Sequence, residues 1–196
     1  MRVVLQRAKS GSVTVAGQVI SSINHGIVCL VGISRDDTVK DAEWCLRKLL
    51  NIRVFQNQEG KGWAKSVVEM NYDVLLVSQF TLYATYKGTK PDFHIAKTPE
   101  EAKVFYNQFL EMAKKAYKPE KIHDGQFGAM MDVSIVNDGP VTLIFDSREG
   151  KSAPPTPSQE SKEPKEPKQP KEPKQPKEPK EPKQQQKQNE ISEKSQ

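Results

Sequence analysis

"MDVSIVNDGPVTLIFDS", residues 131–147, is the stretch on which the reading of this chain turns. Two strand-like runs, about 127–136 and 141–146, flank Asn137-Asp138-Gly139-Pro140. The junction has the turn residues of a hairpin. Pro140, however, stands where the second strand should begin donating its backbone N–H groups. Either Pro140 starts an edge strand, or a Gly-Pro peptide unit is presented to something else.

Working outward, "RVVLQRA" (2–8) reads as a strand and "SVTVAGQVIS" as a hairpin around Gly17. "GIVCLVGIS" (26–34) is a continuous apolar run, expected to be a strand covered on both faces. Asp36, Asp37 and Thr38 offer N-caps to a helix over about 38–51. "IRVFQ" reads as a short strand and "YDVLLVSQFTLY" (72–83) as a long central one. Thr98-Pro99-Glu100-Glu101 starts a second helix, with Thr98 as cap, Pro99 at the first turn and Glu101 completing a capping box. Seven or eight strands against two helices predict an α+β domain: a mostly antiparallel, barrel-like or two-layer sheet carrying two helices.

Composition divides the chain. From Lys151 onward Ile191 is the only large aliphatic residue, and there is no aromatic. Such a stretch cannot offset its chain entropy by burial, so a folded domain is expected over 1–150 and a disordered tail over 151–196. Within 163–183 Pro recurs every third residue from Pro164 to Pro182, as on one edge of a polyproline II helix. The tail holds eleven Lys and eight Glu, a net of +3 of the chain's +5, so only about +2 belongs to the domain. Charge alone therefore gives the domain no strongly basic face for a phosphate backbone. The tail reads as a solubilising spacer, an electrostatic tether for nucleic acid or a ligand for a proline-reading module.

Cys29 and Cys45 read as buried small hydrophobes, and no cluster has metal-ligand spacing, so neither metal nor cofactor is expected. No membrane-length apolar run is present, and the chain reads as soluble and cytoplasmic, with the nucleus as a second compartment. No catalytic apparatus can be assembled from residue types. His25 and His123 read as structural or exposed, and His94 in "KPDFH" is the best histidine for a functional role. Ser78 and Thr81 are hydroxyls on what reads as a buried strand, where local hydrogen bonding explains them.

"MRVVLQR" at 1–7, "SQFTL" at 78–82, "KPDFH" at 90–94 and "NDGPVT" at 137–142 together resemble the D-aminoacyl-tRNA deacylase family, collinearly from Met1 to about Ser147. The resemblance implies a homodimer that hydrolyses the ester of D-aminoacyl-tRNA, and of mischarged glycyl-tRNA. It implies that Gly139-Pro140 is a cis unit reaching into the partner subunit's pocket, that Arg7 locks this motif, and that Ser78, Gln79, Phe80 and Thr81 frame the pocket. The backbone around Gly139-Pro140 would hold the substrate ammonium and exclude L side chains. Thr81 as nucleophile is disfavoured, because no basic group in the sequence obviously activates it. Phe80 is either a stacking wall or a core residue. Two competing readings remain: a DNA-binding, replication-associated protein acting through its tail, and a non-catalytic dimeric scaffold displaying Pro-rich arms.

Overall fold

A computed structural model describes residues 1–149; the expectations for the tail and its Pro repeat lie outside the described residues. Strand β1 (Arg2–Val15) is the axis of the domain. It pairs antiparallel with β2 (Gln18–Ile23) through its second half and with β3 (Gly26–Gly32) through its first. On its other side it pairs antiparallel with β8 (Asp132–Asp146) along nearly its whole length. Parallel pairings then add β4 (Asp73–Ser78) to β3 and β7 (Ile122–Asp124) to β4. The short hairpin of β5 (Thr85–Lys87) and β6 (Lys90–Asp92) is a separate two-stranded sheet.

The expected sheet with two long helices is present, α1 (Val39–Asn51) and α3 (Pro99–Ala116), together with the single turn α2 (Val67–Met70). The core lies between these helices and one face of the sheet, where Leu5, Ile27, Leu76, Leu49 and Phe109 are fully buried. A second cluster (Val13, Val28, Leu75, Val77) fills the other face, so β3 and β4 are covered on both sides. Double coverage is why both strands read as unbroken apolar runs. Both cysteines are buried and free, and burial pushes their thiols up. Among the described residues no helix is long and apolar enough to cross a membrane.

Four local expectations are corrected. "RVVLQRA" and the start of the hairpin form one 14-residue strand, turning at Ala16-Gly17, both at positive φ. "IRVFQ" forms no strand; Phe55 makes only an isolated bridge to Lys65. Thr98 does not cap through its oxygen: its hydroxyl donates to Glu101 Oε2 at 2.9 Å. Finally, the run 72–83 is not one strand. It leaves the sheet after Ser78, because its partner β3 ends at Gly32 and offers nothing further to pair with. Residues Phe80–Tyr83 close into a 3₁₀ turn instead.

Candidate active site

The two strands expected around Asn137-Asp138-Gly139-Pro140 are one strand with a large bulge. Thr142 faces Gln6 and Asn137 faces Ala8, so the four residues Asp138–Val141 stand opposite the single residue Arg7. An insertion of this kind bends a strand outward without ending it. Pro140 has no ladder bond to lose there, which resolves its position after glycine. The Gly139–Pro140 peptide bond is cis, and Gly139 adopts φ 110°, a conformation that L side chains rarely take.

Side chains hold the bulge at both ends. Asn137 Oδ1 accepts the Val141 N–H at 2.9 Å, and its Nδ2 donates to Thr142 Oγ1 at 3.2 Å. Arg7 Nε lies 2.9 Å from Asp138 Oδ2, and Arg7 Nη1 donates to the Val54 carbonyl at 2.5 Å. Arg7 therefore ties the bulge to the segment after α1. Gly139 and Pro140 are exposed on the outer side.

The second group is the turn after β4. Gln79 N–H donates to the Val31 carbonyl at 2.8 Å, and Arg2 Nη1 donates to the Leu82 carbonyl at 2.9 Å. Arg2 is itself fixed by Asp146, Nε to Oδ2 at 2.8 Å. Beneath the turn, Tyr83 is fully buried with the guanidinium groups of Arg2 and Arg148 at 4.8 and 5.4 Å from its ring centre. Burial pushes its phenol pKa up. The Gln79 carbonyl and Leu82 pack directly on the backbone of Gly32.

What this turn presents is small and polar, with one aromatic wall. Thr81 is exposed, and its hydroxyl accepts a hydrogen bond from the Gln79 amide. An amide cannot take a proton from a nucleophile, so this partner does not activate Thr81. Ser78, at the strand end, is half-buried. Phe80 is 57% exposed with its ring edge-on to Phe93 at 5.0 Å, so the core alternative for Phe80 is set aside. His94 is exposed, and both its N–H and its Nδ1 lie against Asp92 Oδ1, at 2.8 and 2.7 Å. Those contacts hold the Asp92 carboxyl below its ordinary range. Among the described residues no group of His, Cys, Asp and Glu is placed to hold a metal ion.

The two groups do not meet within one chain. Ser78 lies on the row of Val31, Val3 and Phe145, whereas Asp138–Val141 lie on the row of Arg7, four residues further along β1. At about 3.3 Å per residue the rows are roughly 13 Å apart along the strands, with three further strand spacings across the sheet. Sequence reading named the residues of both groups but not Arg2, Asn137, Asp138 and Phe93, whose contacts hold them. All four stood inside quoted motifs, but nothing local to them showed which contacts they make.

These features define a small α+β sheet domain whose candidate site presents main chain, the Gln79 amide, the Thr81 hydroxyl and the Phe80 ring. The description of one family, D-Tyr-tRNA(Tyr) deacylase, matches residues 4–146, and the chain belongs to this family of hydrolases. A D-aminoacyl-tRNA deacylase of Dictyostelium discoideum is 58% identical over 150 residues, which is 76% of this chain and 99% of that one. Human D-aminoacyl-tRNA deacylase 1 is 54% identical over 75% of this chain and 70% of its own length. A solved structure described as the c-Myc DNA unwinding element binding protein superposes with a TM-score of 0.73 at 53% identity, covering 74% of this chain and 98% of that one. Another, of a probable eukaryotic D-amino acid tRNA deacylase, has a TM-score of 0.66 at 19% identity and speaks for the fold alone.

Proposed function

We propose that this chain hydrolyses the ester joining a D-amino acid, or glycine, to the terminal adenosine of tRNA, and that it does so as a homodimer. In each site Gly139-Pro140 of one subunit faces Ser78–Thr81 of the other. The observation that carries this reading is the separation of the two groups: each shows exposed residues (Gly139 and Pro140; Phe80 and Thr81) and is held by side-chain contacts, yet they sit on different rows of one sheet. Two-fold pairing of two copies joins each group to its complement twice.

The chemistry is one of orientation. An aminoacyl ester is already reactive, so holding it against fixed dipoles supplies much of the acceleration. The amide of Gln79 and the main chain of the 79–83 turn are the dipoles available, and Phe80 is a face for adenine. The substrate's own ribose 2′-hydroxyl assists, which leaves Thr81 a positioning residue. Carbonyls beside Gly139-Pro140 accept the α-ammonium, so an L side chain points into the wall and a D side chain points out. Glycine has nothing to exclude and is accepted.

Deacylation of D-, L- and glycyl-tRNA tests the activity, and mixing tests the arrangement. Gly139→Ala and Phe80→Ala variants, each inactive alone, are unfolded and refolded together. A site shared between subunits restores about a quarter of wild-type activity, from heterodimers with one intact site of two. No recovery would place both groups in one chain.

A second reading rests on the relative named for binding a DNA unwinding element. In it the lysine-bearing tail adds affinity for nucleic acid. Deleting 151–196 then lowers the salt slope of DNA binding; an unchanged slope removes it.

A further inference from the structure

We propose that the β5–β6 hairpin grips the sugar-phosphate backbone of the tRNA's single-stranded 3′ end, just outside the ester-cleaving turn. This rests on the deacylase reading and goes beyond it. The hairpin leaves the candidate site directly: Thr85 follows the 3₁₀ turn by one residue, and Phe93, just after β6, returns to pack edge-on against Phe80. Whatever lies on Phe80 therefore continues along this hairpin.

Its chemistry suits a single-stranded polyanion. Tyr86 is 72% exposed, and Lys87 and Lys90, paired across the hairpin, are exposed with it. Asp92 is the acid of this hairpin, and its carboxylate is already taken by the His94 N–H and ring. Two exposed ammonium groups, Lys87 close enough to Asp92 to feel its charge, stand beside an open aromatic ring and offer phosphate contacts and a stacking face, the combination by which single strands are bound without reading sequence. An isolated two-stranded hairpin is marginally stable in water, so a ligand bridging its strands also orders it.

The test compares two substrates, D-aminoacyl-tRNA and the D-aminoacyl ester of adenosine, which lacks the phosphates, over a series of KCl concentrations. For Lys87→Ala/Lys90→Ala the ratio of kcat/KM on tRNA to that on the adenosine ester falls about tenfold at low salt, and the log–log salt slope on tRNA drops by about 1.4, two single-strand contacts. Tyr86→Ala lowers the ratio without changing the slope, and Lys87→Arg/Lys90→Arg restores it. An unchanged ratio and slope in the double alanine variant, or equal losses on both substrates, overturns the proposal. A wild type that cleaves neither substrate overturns the deacylase reading, and the hairpin's role with it.

Discussion

The guanidinium of Arg7 stands 2.9 Å from the carboxylate of Asp138 and, through its other arm, 2.5 Å from the carbonyl of Val54. One side chain in the middle of β1 thus fixes the bulge that presents Gly139-Pro140. Both partners are partly shielded, with side-chain exposures of 14% and 32%, so the pair counts for more than a surface one. Arg7→Ala removes both contacts. It is expected to cost about 2 kcal/mol in urea unfolding and, because the bulge loses its anchor, roughly 100-fold in kcat/KM. Arg7→Lys recovers stability but little activity, since one ammonium cannot reach in two fixed directions.

Gly139→Ala separates conformation from anchoring. A Cβ there would sit 2.8 Å from Arg7 Nη2 and 3.2 Å from Val141 Cγ2, at a φ of 110°. Arg7 can swing away; the dihedral cannot change without moving the motif. A loss of about 1–2 kcal/mol in stability is expected, with a roughly 100-fold loss in D-aminoacyl-tRNA hydrolysis. Near-normal activity would remove the motif from the site.

Gly32→Ala acts from the opposite side. Its Cβ would meet Leu82 Cβ at 2.9 Å and the Gln79 carbonyl oxygen at 3.1 Å. Lifting the 79–82 turn off β3 displaces Gln79, Phe80 and Thr81 together. About 1–3 kcal/mol of stability is expected to be lost, with kcat falling more than KM rises. Steady-state kinetics beside thermal unfolding distinguishes this from general destabilisation.

Thr81→Ala decides the chemistry. Among the described residues the Thr81 hydroxyl meets the Gln79 amide, which is no base, so activity within about tenfold of wild type is expected. A 10⁴-fold loss with the fold intact, about 5.4 kcal/mol of barrier, would make it the nucleophile.

The domain was largely legible in the sequence, because apolar runs and helix caps are local signals. What was not legible depended on pairing. Residues 72–83 carry one continuous β pattern, and only the end of β3 at Gly32 dictates where the strand stops. The same holds for residues 131–147, where turn chemistry suggests two strands and the length of β1 makes them one. At the site, motif residues could be named from resemblance, but the partnership of Arg2 with Asp146 could not. Their roles arise from residues more than 140 positions apart meeting across a sheet.

Asp146 offers the last test, in pH. Burial pushes its carboxyl up, but the Arg148 N–H, the Arg2 guanidinium and neighbouring positive charge outweigh that and hold it below 3.8. A folded-state value below the unfolded one means stability that is fully present above about pH 4 and is lost as pH falls through the folded value. Asp124 has the opposite sign, because burial pushes its carboxyl up. The wild-type curve alone therefore mixes the two. The stability difference between wild type and Asp146→Asn isolates one: it should be constant from pH 7 to pH 5 and shrink below about pH 4. Because Asp146 also steadies Arg2 on the Leu82 carbonyl, the same variant should lose activity at pH 7 beyond what its stability explains. A difference that stays flat into acid would mean that the Arg2–Asp146 contact contributes nothing to holding the turn.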